Sequence, residues 1–592
     1  MHIGMRRSAA AVLMGLLALV FAACGSSNSS STTSSGASVA GQTPAGQSLT
    51  GGVRGGTLNV SDSEDFEHID PAQAYFAIDY TAIYATQRPL FSYKPNQADT
   101  LSPDLATGPA QISADDKTVT VHIHPGVHYS PPVNREVTSA DVAYAIERGA
   151  NPGVGNAYFS AYFAVIAGAD KATGGPISGI STPDKYTIVF HLTKPQASFF
   201  AEALSLPLTA PVPPEFVKKY DAKKPTQYGN YQVATGPYMF KANAQGKVIG
   251  IGYDPGKSAT LVRNPNWDPK TDFRPAYLDQ IKVSIGGAST VIGRQVLTGS
   301  HMVQNDTPDQ SIVKLAFQQY PKQITFTPGA GDHYVGLNNK QGPFSDVNVR
   351  RALWAALDRA AMVKLNGGRI VGDPGTHFLF PGVQGYDEAG GLAGPQTDFN
   401  KNTAGDLTVA AKYMKAAGYP SGKYTGTHQV TVVGASNPPA DKTAQVVNQA
   451  LLDLGFKTRF NLVDQSAMYA KYCGVPSQEI DVCPNVGWVR DFADPQTVVS
   501  PTFAGKSITP TNNANFGQTN DPQINKAIDA AELTNGQARV DAWAAVDKQL
   551  VDQAVAVPWI FNRQPAIESK DVAGVSQVWN TGEWDYSFTS LK

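Results

Sequence analysis

The chain has 592 residues, 42% of them hydrophobic and 16% charged, a length that exceeds one hydrophobic core and suits two or three domains. Lys and Arg number 47 against 49 Asp and Glu, a formal charge of −2 with no long basic run, so the basic face of a nucleic-acid binder is excluded. The 3 cysteines show no CxxC or Cys/His spacing for a structural zinc site, and after residue 20 no apolar stretch approaches about 18 residues.

At the N-terminus, Arg6 and Arg7 precede an apolar run from Ala9 to Val20 that ends in Phe21-Ala22-Ala23-Cys24. A short positive region, an apolar core and small residues before a cut make a secretory signal over residues 1–23, too short for a comfortable membrane span. The cysteine after two alanines resembles the lipobox of bacterial lipoproteins, with Phe21 where leucine is usual. That resemblance implies that Cys24 is acylated and anchors the protein, outside the cytoplasm, to the outer face of the cell membrane. Residues 24–56 are rich in Ser, Gly, Thr and Ala with almost no charge, a composition that does not order itself. They are expected to form a flexible tether with a reach of about 30 Å.

Removing 56 of 592 residues leaves 536 for the body. Its pattern is mixed α/β. Strands are predicted at 57–60, 118–123, 186–192, 334–337, 430–433, 456–462 and 557–561, from short β-branched and aromatic runs. Helices are predicted at 138–147, opened by the capping-box-like Thr138-Ser139-Ala140-Asp141, and at 346–365, 407–417, 443–454 and 540–551. Gly418 and Gly455 supply left-handed caps. Ser61 to Glu67 reads as a polar loop after the first strand. Helices alternating with strands in the second half predict a largely parallel sheet there. With Cys24 acylated, Cys473 and Cys483 are an even pair in an oxidising compartment, either a disulfide or two buried thiols.

Nine segments, in order, carry a resemblance. They are Gly56 to Val60 with Ile69-Asp70-Pro71, Asp116 to His128, Val137 to Arg148, Ala234 to Tyr238, Val262 to Trp267, Asn338 to Ala352, Leu357 to Arg359, Ala416 to Pro420, and Gly487 to Asp491 with Asp494-Pro495. Together they resemble the extracytoplasmic solute-binding proteins of ABC importers, family 5, the oligopeptide and dipeptide type. The resemblance implies a two-lobed α/β clamshell, type II and cluster C among periplasmic-binding-protein folds, with an extra subdomain in the first lobe. By analogy the first lobe is residues 57–331 with an insertion at about 85–185. The second lobe is 332–555, and 556–592 return to the first. It also implies a monomer that captures an oligopeptide or peptide-like solute and passes it to permease subunits served by a separate ATPase.

In this family the acid of the Gly-Trp-x-x-Asp motif receives the ligand's α-ammonium group, which points to Asp491. A carboxylate shielded from water needs a cation, and a primary amine brings three charge-assisted donors. Trp488 is expected to wall the site, Tyr75 and Phe76 to face it from the first lobe, and Asn437 to approach from a strand end. Dipeptide receptors carry an arginine in the loop corresponding to 436–439; none stands here, and Arg490 is the candidate substitute. His122 and His124 share a strand face, but they and His128 fall inside the resemblance, and no metal or cofactor is expected. No Walker A loop, G-x-S-x-G elbow or HExxH points to an enzyme. The competing readings are a clamshell sensor or adhesin for a non-peptide solute, and a nickel-complex binder.

Overall fold

The computed structural model describes residues 49–95, 100–576, 582 and 584–592. The signal segment, Cys24 and most of the expected tether lie outside the described residues. The tether's last residues are held: Val53 bridges Leu591, and the Gly55 N–H donates to Tyr277 O at 2.8 Å.

The strands used below are β1 (Thr57–Asp62), β2 (Gln111–Ile112), β3 (Thr118–His122), β4 (Ile180–Asp184), β5 (Thr187–His191), β6 (Tyr238–Phe240), β7 (Ser258–Arg263) and β8 (Gln280–Ile285). They continue as β9 (Val303–Gln304), β10 (Ile324–Leu337), β11 (Gln429–Ala435), β12 (Lys457–Val463), β13 (Val482–Trp488) and β14 (Ala556–Glu568). The main sheet runs β12-β11-β13-β10-β14-β9-β1-β8-β7-β6. Its two halves belong to two lobes, and β10 and β14 pass from one to the other. The start of β10 pairs with the end of β14 in the first lobe, and from Asp332 onward β10 also pairs with β13 in the second. The ladder between the crossing strands is interrupted between Pro328 and Gly331. A bulge there bends and twists the pair. Only glycine fits at 331, because a Cβ would meet the Trp488 carbonyl at 2.4 Å.

Around β1, parallel pairing with β8 and β9 and apolar residues such as Leu58 and Val60 build a core that also takes in Ala566, Val572, Trp584 and Tyr586 from the chain's end. The small sheet β2-β3-β5-β4 carries a second core spanning Ala72 to Val233. The second lobe's core runs from Tyr334 to Phe561, around the parallel pair β11–β12. Cys473 and Cys483 are joined there by a disulfide with Cα atoms 6.1 Å apart.

The helix at Ser139–Gly149 (α1) opens with the capping box between Thr138 and Asp141. The helix expected at 346–365 is instead two, Val347–Ala356 (α2) and Arg359–Leu365 (α3). Asp358 breaks it: its side chain caps α3 by accepting from the Ala361 N–H at 2.7 Å, an alternative to continuing the first helix. The polar loop expected from Ser61 is also corrected. Ser61 and Asp62 complete β1, both are buried, and Asp62 accepts the Asn305 N–H at 3.0 Å. Burial, with the charge of Asp306, pushes the Asp62 carboxyl up to about 8.

Two of the nine segments meet through charge. Arg148, at the end of α1, donates to both carboxylate oxygens of Asp70 at 2.9 and 2.6 Å, and to Asp221 at 2.7 Å. Arg148 and Asp70 are fully buried. Arg148→Met strands Asp70 without its cation, and denaturant unfolding should report a loss of about 3–5 kcal/mol. The Asp70→Asn/Arg148→Met double variant should recover a large part of it. A single-variant loss below about 1 kcal/mol contradicts the assigned role.

Candidate functional site

A cavity of about 300 Å³ opens where the two lobes meet, at the small end of the range for ligand sites. Tyr75, Phe76 and Tyr158 line it from the first lobe. Asp332 and His333 of β10, Trp488 at the end of β13, and the following Val489, Arg490 and Asp491 line it from the other side, with Asn562 of β14. Tyr75, Phe76 and Val489 are about half exposed, so its mouth is apolar.

The chain places Asp491 by anchoring its neighbour. Phe492 is fully buried in the first lobe's second core, with its ring 5.1 Å from that of Tyr162 and 5.3 Å from that of Phe199. The segment beyond is fixed by Arg539, which donates to both oxygens of Asp494 at 2.5 and 2.8 Å. Trp488 is held by its indole N–H, which donates to Thr497 O at 2.8 Å. Between these anchors Asp491 accepts a hydrogen bond from the Tyr162 hydroxyl. Burial pushes its carboxyl up to about 7, with the Tyr162 bond pulling the other way. Burial and the Asp491 charge together push the Tyr75 phenol up to about 12. The aromatic wall continues through Tyr158, 5.3 Å from Tyr75 between ring centroids, whose hydroxyl is 2.7 Å from that of Tyr80.

Arg490 is buried against the cavity, and one of its terminal nitrogens donates to Pro381 O at 3.2 Å. Gly382 makes room for it: φ there is +87°, and a Cβ would lie 2.1 Å from the guanidinium. Five of the six predicted ligand residues, Tyr75, Phe76, Trp488, Arg490 and Asp491, therefore converge on one cavity. Asn437 stands apart. It is exposed in the loop after β11, its amide donates to Gln465 Oε1 at 3.1 Å, and it does not line the cavity. A strand end locates a loop but does not decide which of its side chains turns inward. Sequence reasoning missed Tyr158, Tyr162, Asp332, His333, Tyr469 and Asn562. Only the aromatic run Tyr158-Phe159-Ser160-Ala161-Tyr162-Phe163 gave a signal, since residues four apart on a helical turn share a face.

Residues 100–510 match the family described as bacterial extracellular solute-binding proteins, family 5 Middle. Heme-binding protein A of Haemophilus influenzae is 25% identical over 485 residues, covering 80% of both chains. The periplasmic oligopeptide-binding protein of Escherichia coli is 24% identical over 462 residues, 75% of this chain and 76% of that one. Among solved structures, clavulanic acid biosynthesis oligopeptide binding protein 2 superposes with a TM-score of 0.80 at 24% identity, covering 91% of this chain and 96% of that one. The chain belongs to the family-5 bacterial extracellular solute-binding proteins, and its fold is their two-lobed clamshell. The family and these relatives are binding proteins, not enzymes. No helix among the described residues is long and apolar enough to cross a membrane.

A carboxyl whose folded value is raised holds its proton while the unfolded chain loses it, so its contribution to stability falls as pH rises between the two values. For Asp491 that window runs from the ordinary carboxylate range to about 7. In ligand-free protein, Asp491→Asn should remove part of the fall in melting temperature across this window. Superimposable pH profiles for the two proteins contradict the raised value.

Proposed function

We propose that this family-5 binding protein is the lipid-anchored receptor of an ABC importer, capturing an oligopeptide or peptide-like solute between its lobes and delivering it to permease subunits with a separate ATPase. The observation that carries this reading is the place of Asp491: on the inter-lobe cavity, beside Tyr75 and Tyr162, with its position fixed by Phe492. In this reading the Asp491 carboxylate takes the ligand's amino terminus, Trp488, Tyr75 and Phe76 enclose its first side chain, and Arg490 meets an anionic group. A ligand touching both walls favours the closed arrangement through contacts that an open one lacks. The relatives' names point to heme in one case and oligopeptides in another. It is therefore the acidic, aromatic cavity that favours an amine-bearing peptide here. The anchor at Cys24 and the lobe boundaries at 331/332 and 555/556 are part of the same proposal. They are supported by the lipobox-like sequence and by the crossing of β10 and β14.

Peptides of three to five residues with free amino termini should raise the melting temperature of the purified protein, since ligand at about 100 times its Kd adds about 2.7 kcal/mol. Asp491→Asn should abolish most of that gain, and amino-acetylated versions of the same peptides should give little with either protein. Equal stabilisation by free and acetylated peptides removes Asp491 from the amino-terminal site.

The pH dependence of affinity offers a separate check. A cation binds the ionised carboxylate, so below about pH 7 the affinity should fall about tenfold per pH unit, with proton release on binding. Titration calorimetry in buffers of different ionisation enthalpy reads the released proton. A pH-independent Kd between 5 and 7 contradicts the assignment.

A further inference from the structure

Asp332 is the cavity's other carboxylate, and nothing in the reading above uses it. It stands on β10 where that strand first pairs with β13, opposite Trp488. It is 2% exposed and lines the cavity. One of its oxygens accepts the Trp488 N–H at 3.2 Å. No Lys, Arg or His among the described residues comes within ion-pair distance of it. Three buried carboxylates away from the cavity carry an internal arginine, Asp70 with Arg148, Asp104 with Arg274 and Asp494 with Arg539, while Asp62 and Glu568 are buried without one but do not line the cavity.

The groups around Asp332 form no ion pair with it either. His333, next in the chain, is held neutral by burial, with its Nδ1 2.9 Å from the Asn562 amide nitrogen. Burial pushes the Tyr334 and Tyr469 phenols up and the Asp332 charge adds to it, while burial and then the like charge of Asp547 raise Asp332 itself. Arg490 lines the same cavity but is drawn toward Pro381. Held by backbone N–H groups alone, a carboxyl buried in this way ionises only at a cost, which a cation brought against it offsets. The rings of Trp488 and Tyr469, which line the cavity beside it, are surfaces that attract cations. The two acids also serve different ends: Asp491 acts on Tyr75, Tyr80 and Tyr158, and Asp332 on Tyr334 and Tyr469.

We propose that Asp332 is a second cation-accepting group of this cavity, so that the preferred solute is a dicationic amine. Its amino terminus lies at Asp491, and a second ammonium or guanidinium group lies at Asp332. The inference rests on the reading of Asp491 given above for the first of these contacts. It makes Asp332 a specificity-determining residue.

Two ligand pairs test it by titration calorimetry: Lys-Ala-Ala against norleucyl-Ala-Ala, and 1,5-diaminopentane against pentylamine. Each pair differs in the second charge at nearly constant size. The dication of each pair should bind about tenfold or more tightly, as expected of a hydrogen bond to a charged group. In Asp332→Asn the ratio should fall to about twofold or less, and Asp332→Glu should restore it; Asp332→Ser serves if the Asn variant does not fold. Equal affinities within both pairs for the unmodified protein overturn the proposal. So does a preference that survives in the Asn or Ser variant, which leaves Asp332 as a mere acceptor for the Trp488 N–H. If neither tripeptide binds while the diamine preference holds and depends on Asp332, the peptide reading fails and the second cation site stands. Failure of all four compounds to bind overturns both.

Discussion

Phe492 sits in a core built by residues far from it in sequence, and much of the site's geometry follows from that burial. Its ring fills a gap between Tyr162 and Phe199, where its exposed fraction is zero. Full burial of such a side chain is worth about 1.5–3 kcal/mol, with about 0.5–1.5 more for each favourable ring pair. Asp491 precedes it directly, so the same insertion sets the carboxylate against the Tyr162 hydroxyl and the cavity wall. Asp494 and Arg539 hold the chain on the far side, and the Trp488 indole is tied to Thr497 before it. A charged residue in a loop between such anchors has little freedom, which is what an oriented ligand contact requires.

Any rotation that parts these surfaces must either withdraw Phe492 or carry its pocket along. The first route costs several kcal/mol, comparable with the differential affinity a ligand needs to move a two-state equilibrium substantially. The crossing strands offer the compliant element. Their ladder is broken between Pro328 and Gly331, within a few residues of Asp332 and beside the close approach of Gly331 to Trp488. The place where the strands can bend and the proposed solute site therefore share residues, so in the proposed reading contact with solute bears directly on the angle between lobes.

Much of this was legible in the sequence because it is local. The capping box at Thr138, the β-branched runs that became β1, β3, β11 and β12, and the short Gly-Trp-x-x-Asp motif all write their geometry into neighbouring residues. Asp70 and Arg148 were each visible as motif residues, but not their bond, which joins positions 78 apart. The same limit hid Tyr162 and Asp332. A tyrosine in an aromatic run reads as core until Asp491 is found against it, and an acid before a strand reads as a surface residue until the partner strand buries it. The helix broken at Asp358 failed for a different reason. Its apolar spacing continues through residue 365, and a single capping side chain outweighs that periodicity.

A contrast between five of the buried carboxylates bears on these observations. Asp70, Asp104 and Asp494 lie between elements that must stay together, and each has an internal arginine, so their charge is neutralised whatever the solute does. Asp491 and Asp332 line the cavity proposed to take the solute. Burial raises both, Asp491 to about 7 and Asp332 well above the ordinary carboxylate range, which favours their protonated forms while no cation meets them. A cationic solute then exchanges with protons rather than filling a site of fixed charge. Under the proposed reading capture is coupled to pH, and a neutral solute of the same shape, unable to displace those protons, gains only what the aromatic walls provide.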